Sequence, residues 1–238
     1  SPGYVVLAPA PLDELGNNFQ RTPDAAARLL ATRLADVSYV VDSFERIAPQ
    51  LPGFAGRLDA QRIAIAGHSF GGMIAQIKAG LAIAGADGRR DASQRDPRFK
   101  VAVINSGVGP MPPIAADGFD GLTLPLFASG GTEDLGITGV GPVRPWRWRI
   151  GAYDLAPPGD KYAVWLQDGD HYLGGLICRG DRVDKPDPQG ARIVAATSLL
   201  FLDGYLRGLE ALTASAEVPS STVQDKLACV LKCPTTRS

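Results

Sequence analysis

The chain has 238 residues, 45% hydrophobic and 21% charged, a composition that suits one globular domain with a substantial core and excludes disorder throughout. Its 24 basic and 25 acidic residues leave a formal net charge of −1, which gives no electrostatic footprint for a nucleic-acid backbone or an anionic membrane. No run reaches the roughly 18 uninterrupted apolar residues that a membrane helix needs, so neither nucleic acid nor a membrane is an expected partner.

The opening SPGYVVLAPAP lacks a basic segment followed by an apolar one, so secretion cannot be read from it. Within it, GYVVLAP (3–9) is a short β-branched run stopped by prolines, which predicts a buried strand. After a loop rich in Pro, Gly and Asn, apolar residues recur at helical spacing from Pro23 to Ala48, with Thr22 as the N-cap of one long amphipathic helix. RIAIAG (62–67) then reads as a strand, and GGMIAQIKAGLAIAGA (71–86) as a buried helix.

Beyond a charged loop come three further strands, VAVINSG (101–107), LPLFASGG (124–131) and KYAVWLQDG (161–169), and a last helix over 191–209. Continuous apolar strands alternating with helices predict an α/β fold with a mostly parallel, doubly wound sheet, whose chemistry gathers at the C-terminal ends of the strands. Residues 1–212 are expected to form this domain, and 213–238 a polar, extended or partly disordered tail. Cys178, Cys229 and Cys233 form an odd set with three possible disulfide pairings, and with two histidines in the chain a four-ligand zinc site is not expected.

Gly67-His68-Ser69-Phe70-Gly71 matches G-x-S-x-G. Glycine supplies 28 of 238 residues, so the spacing alone is modest; its place between a strand and a helix makes it specific. A serine on so sharp a turn has its oxygen lifted clear of the sheet, and glycines at 67 and 71 are expected to let strand and helix approach closely. The helix N-terminus favours developing negative charge there, and the Phe70 N–H is the expected oxyanion donor.

A serine hydroxyl needs a base. His68 adjoins Ser69 and its side chain diverges from it, which leaves His171, directly after the strand at 161–169. The acid that orients the imidazole should lie between serine and histidine; Asp134 fits, with Glu133 its rival, while Asp168 and Asp170 read as loop formers. Asn105 and Ser106 either line the site or sit at the edge of the core. Phe70, Met73 and the loop 107–121, with Met111, offer an apolar substrate surface or are ordinary packing. RPWRWR (144–149) reads as a helix face whose arginine stems cover apolar surface, or as a contact for an anionic or aromatic substrate.

Ser69, Asp134 and His171, in this order on alternating strands and helices, resemble the triad of the α/β-hydrolase fold. RLDAQRIAIAGHSFGG, DPRFKVAVINSG, LPLFASGGTEDLG, DHYLGGLICR and LLFLDGYLRG together resemble the dienelactone-hydrolase-like group that includes cutinase-like polyester hydrolases, over residues 3–209. GHSFGG is also similar to platelet-activating-factor acetylhydrolases, whose acid would fall near Asn105; true dienelactone hydrolases carry a cysteine where this chain has Ser69. The resemblance implies a serine esterase acting on a small or polymeric ester, without cofactor or metal. A serine peptidase of the same fold and a non-catalytic binding module are the alternatives. It also implies that GYVVLAP is the fourth strand, that the N-terminal strands and a His-Gly-type oxyanion loop are absent from this chain, and that the sheet has a gap in its middle. A longer gene product, or another polypeptide, is then expected to supply the missing N-terminal segment.

Overall fold

The computed structural model describes residues 3–9, 23–53, 56–85, 88–135, 142–173, 175–177, 186–208 and 227–232. They fall into two compact units, Ser1–Arg62 and Ile63–Ser238. In the first, the apolar stripe of Leu30, Leu34, Val37 and Val41 forms one face of α1 (Pro23–Asp42), with Leu34 buried. The long helix expected here breaks at Ser43, whose hydroxyl accepts from Arg46, and resumes as the single turn α2 (Phe44–Ile47). Thr22 and the loop before it lie outside the described residues. Residues 3–9 carry no strand, and Val6 is 84% exposed. β-Branched composition makes a segment fit a pleated surface but supplies no neighbour to pair with, and strand structure exists only through that pairing.

The second unit alternates strands with helices: β1 (Ile63–His68), α3 (Phe70–Ala79), a small antiparallel pair β2 (Ile83–Ala84) and β3 (Arg90–Asp91), β4 (Phe99–Asn105), β5 (Leu126–Gly131), α4 (Gly151–Leu155), β6 (Lys161–Leu166), α5 (Pro188–Arg207) and β7 (Leu227–Lys232). Five strands form one sheet in the order β1-β4-β5-β6-β7, parallel from β1 to β6, with β7 antiparallel to β6. This is an α/β architecture with a mostly parallel sheet. The described strands run unbroken from β1, at one edge, and residues 3–9, expected as a strand across a gap from β1, pair with none of them. Part of the segment expected as a tail, 227–232, is the opposite edge strand.

Successive side chains on a strand point to opposite faces. Phe127 packs on Phe201 of α5, and a Cβ on Gly130 would meet Ile150, just before α4, so β5 is covered on both faces. Every residue of β5 is buried, and Val101–Ile104 of β4 are at most 3% exposed, the continuous burial that parallel central strands require. β1, at the edge, is only partly buried.

In the second unit, the end of α3 and the start of α5 differ most from the sequence expectation. α3 ends at Ala79 because Gly80 adopts φ +125 and packs against the Gly121 carbonyl, where a side chain would overlap; residues 83–84 join β2 instead. α5 starts a turn early because the Asp187 carboxylate accepts from the Gly190 N–H at 2.8 Å, an N-cap followed by Pro188 at the first helical position. Among the described residues no helix is long and apolar enough to cross a membrane.

Candidate active site

The pairing His68↔Asn105↔Ser129 aligns the C-terminal ends of β1, β4 and β5, and Gly131↔Leu166 carries the alignment to β6. The residues that follow each strand therefore share one edge of the sheet.

Ser69 sits between β1 and α3 at φ 56, ψ −118, a conformation costing on the order of 1–3 kcal/mol for a non-glycine residue. Its N–H donates to the Asn105 carbonyl (3.0 Å), and its carbonyl accepts the first helical bond from Met73 (3.0 Å). The turn is tight at Gly67, where a Cβ would overlap the Gly71 carbonyl, and at Gly72, where a Cβ would lie 3.3 Å from the Asn105 carbonyl and Gly107 Cα. Gly71, expected to share the steric task with Gly67, has open space at its Cβ position; its backbone, not its missing side chain, is what Gly67 accommodates.

Two variants separate these roles. Gly67→Ala is expected to lower unfolding stability by about 1–3 kcal/mol through overpacking against backbone. Gly71→Ala, in the first turn of a helix, is expected to be neutral or stabilising by up to about 1 kcal/mol. Equal destabilisation by both in urea titrations would refute the assignment.

The other two partners arrive on loops tied together. Thr132 and Glu133 donate backbone N–H bonds to the Leu166 and Gly169 carbonyls (2.9 and 3.0 Å), clamping the exit of β5 to the exit of β6. Asp134 is thereby turned inward to full burial, while Glu133 is exposed. Asp168 adopts φ 60, and the Asp170 carboxylate accepts from the Tyr172 N–H (2.9 Å), so both shape the loop that presents His171.

His171, 4% exposed, places Nδ1 2.9 Å from Asp134 Oδ1 and Nε2 2.8 Å from Ser69 Oγ. With the carboxylate as acceptor, Nδ1–H donates to Asp134 and the Ser69 O–H donates to Nε2, the tautomer a base requires. Burial pushes the Asp134 carboxyl up, but the His171 hydrogen bond, the Arg149 guanidinium and the Ser106 hydroxyl outweigh it and hold it below the usual carboxylate range. The Phe70 N–H heads α3, a position without an intrahelical acceptor. Met73 and Met111 are half-buried, on the first turn of α3 and in the loop after β4, outside this hydrogen-bonded chain.

Three contributors were not assigned from sequence. His68, set aside as a base, donates Nε2–H to the His171 carbonyl (2.8 Å), its ring 4.8 Å from that of His171. Burial lowers its pKa, outweighing the hydrogen bond to the His171 carbonyl and the Asp134 charge that raise it, so it is neutral at neutral pH. Ser106, at φ 47 after β4, faces Asp134, whereas Asn105 is taken up by a bond from Ser129 (2.8 Å).

The third lies in RPWRWR, which divides. Residues 146–150 form a 3-10 turn in which exposed Arg147 stacks on Trp146 and Trp165 and pairs with Asp154 (2.6 Å), as a surface-covering stem should. Arg149 instead turns inward, 6% exposed, onto Asp134. The alternation of arginines was the available signal, since successive residues of a short turn cannot all face solvent. Cys178 and Cys233 lie outside the described residues.

Compared with protein families and with curated proteins, the chain matches no family model and no curated sequence. What the protein does is therefore read from the site itself.

Proposed function

We propose that this protein is a serine hydrolase of the α/β-hydrolase type, cleaving carboxylic esters through an acyl-enzyme on Ser69. One observation carries the reading: a serine hydroxyl, an imidazole and a buried carboxylate joined by bonds of 2.8 and 2.9 Å, with the serine on a strained strand-to-helix turn. His171 takes the Ser69 proton as Oγ attacks the ester carbonyl, and Asp134 steadies the imidazolium. The Phe70 N–H faces the developing oxyanion at the positive end of α3. His171 then returns the proton to the departing alcohol, and water, activated by the same imidazole, releases the acid. Met73, Met111 and the exposed Phe70 ring supply apolar surface for the acyl or alcohol group.

An alkyl fluorophosphonate tests this directly, because it reacts with an activated serine and leaves a binding module unmodified. Stoichiometric labelling at Ser69, with hydrolysis of a short p-nitrophenyl ester, is expected. An unlabelled serine in folded protein would sink the proposal, and labelling with amide cleavage but no ester cleavage would move it to a peptidase.

A further inference from the structure

Arg149 is a buried cation that the acyl-transfer steps above do not use. Its Nε lies 2.9 Å from Asp134 Oδ1, the same oxygen that receives His171 Nδ1–H, in an ion pair whose N–H is not directed at that oxygen. Among the described residues, Asp134 Oδ2 is buried with no partner in hydrogen-bonding geometry. The guanidinium is held from behind: one NH2 group reaches the Gly107 carbonyl (3.5 Å), and the group lies 5.1 Å from the Trp148 ring, whose Nε1–H donates to the Pro110 carbonyl (2.9 Å). Room for this layer comes from glycine. A Cβ on Gly109 would overlap Trp148, and one on Gly130 would come to 3.2 Å from Ile150 and 3.7 Å from Arg149. A buried arginine costs desolvation that a merely structural site avoids more simply with an apolar side chain.

The geometry points to Arg149 as a positioning residue for the triad: it fixes the Asp134 carboxylate toward His171 Nδ1 and offsets its charge, so that Nδ1–H is held on the carboxylate and Nε2 is turned to the Ser69 hydroxyl. The inference rests on the hydrolase reading. The groups at His171 are Asp134 from the loop after β5, His68 from β1, and Ser69 and Tyr172, while Arg149, from the turn before α4, stands behind Asp134 and acts through it. Burial lowers the His68 pKa, which leaves Asp134 and Arg149 as the charged groups among these. The sign follows: with Arg149 gone, an uncompensated carboxylate favours the imidazolium, and the base works only at higher pH.

Arg149→Met is expected to move the acid limb of the kcat/KM profile upward by on the order of one pH unit. It should also lower plateau kcat by about 10- to 100-fold while leaving KM unchanged. Arg149→Lys keeps the cation, so its limb should stay at the wild-type pH while kcat falls less. A stationary limb in Arg149→Met, or a displaced one in Arg149→Lys, overturns the proposal. Raised KM at unchanged kcat in either would mark a substrate contact instead, and also overturns it. If Arg149→Met does not fold, Arg149→Lys decides by the same limb and KM criteria.

NMR titration of the His171 imidazole reads the same displacement without turnover. A displaced titration in a protein that hydrolyses no ester counts against the hydrolase reading and leaves Arg149's role standing. An unmoved titration counts against Arg149.

Discussion

Ser69→Ala is expected to abolish fluorophosphonate labelling and to lower kcat on a short p-nitrophenyl ester by about 10⁶-fold, the scale on which a triad acts as a unit. The loss should appear almost wholly in kcat. On the proposed mechanism Ser69 Oγ makes its strongest interaction in the transition state, as the bond to carbonyl carbon forms and the proton passes to His171 2.8 Å away. The fold should hardly notice the change. The Ser69 contacts that shape the elbow are backbone bonds, from its N–H to Asn105 and to its carbonyl from Met73, and alanine keeps both. Alanine does inherit φ 56, a conformation it tolerates no better than serine, so the melting temperature is expected within a few degrees of wild type. Folded Ser69→Ala protein with a tenth of the wild-type turnover would place the nucleophile elsewhere.

The elbow was legible in the sequence because its requirements are local. A strand-forming run, a glycine that must tolerate close backbone approach and a helix-forming run follow one another without interruption, and the strand Ile63–His68 and the start of the helix Phe70–Ala79 lie within a residue of where the pattern puts them. His171 and Asp134 were legible for a different reason. Parallel strands present their C-terminal ends on one edge, so a residue's position just after its strand predicts its place in space without knowledge of the contact.

What escaped depended on pairing over long range. Val5 and Val6 have the chemistry of a strand, and no residue in 3–9 says whether a neighbour is there to pair with. Leu227–Lys232 is the converse, a segment with weak pattern that gains order from the free edge of β6. Arg149 escaped because burial of a cation is decided by a carboxylate on another loop and by glycines that make space for it, none of which marks the arginine itself. Gly71 shows the limit of reading a motif as steric law. Its letter fits the pattern, but the crowding is at Gly67 and Gly72.

Asp134→Asn separates the proposed catalytic task of the carboxylate from its structural one. The amide matches the carboxylate in shape, but it can turn an N–H toward His171 Nδ1. The imidazole then carries its proton on Nε2, facing Ser69, and cannot accept another, so kcat is expected to fall by about 10⁴-fold with KM little changed. Stability should fall as well. The substitution leaves the Arg149 guanidinium, 6% exposed, beside a neutral group, and breaking a buried pair from one side costs about 3–5 kcal/mol. Arg149→Met in the same chain removes the stranded cation. The double variant should therefore regain much of the lost stability in denaturant titrations, while its activity stays at the level of Asp134→Asn, because the tautomer is still wrong. A double variant as unstable as Asp134→Asn alone would mean that Asp134 does not balance the buried arginine. Turnover of Asp134→Asn within tenfold of wild type would mean that His171 takes its tautomer from another source. The His68 bond holds only the His171 backbone, leaving the ring free to turn, and so cannot substitute for the carboxylate at Nδ1.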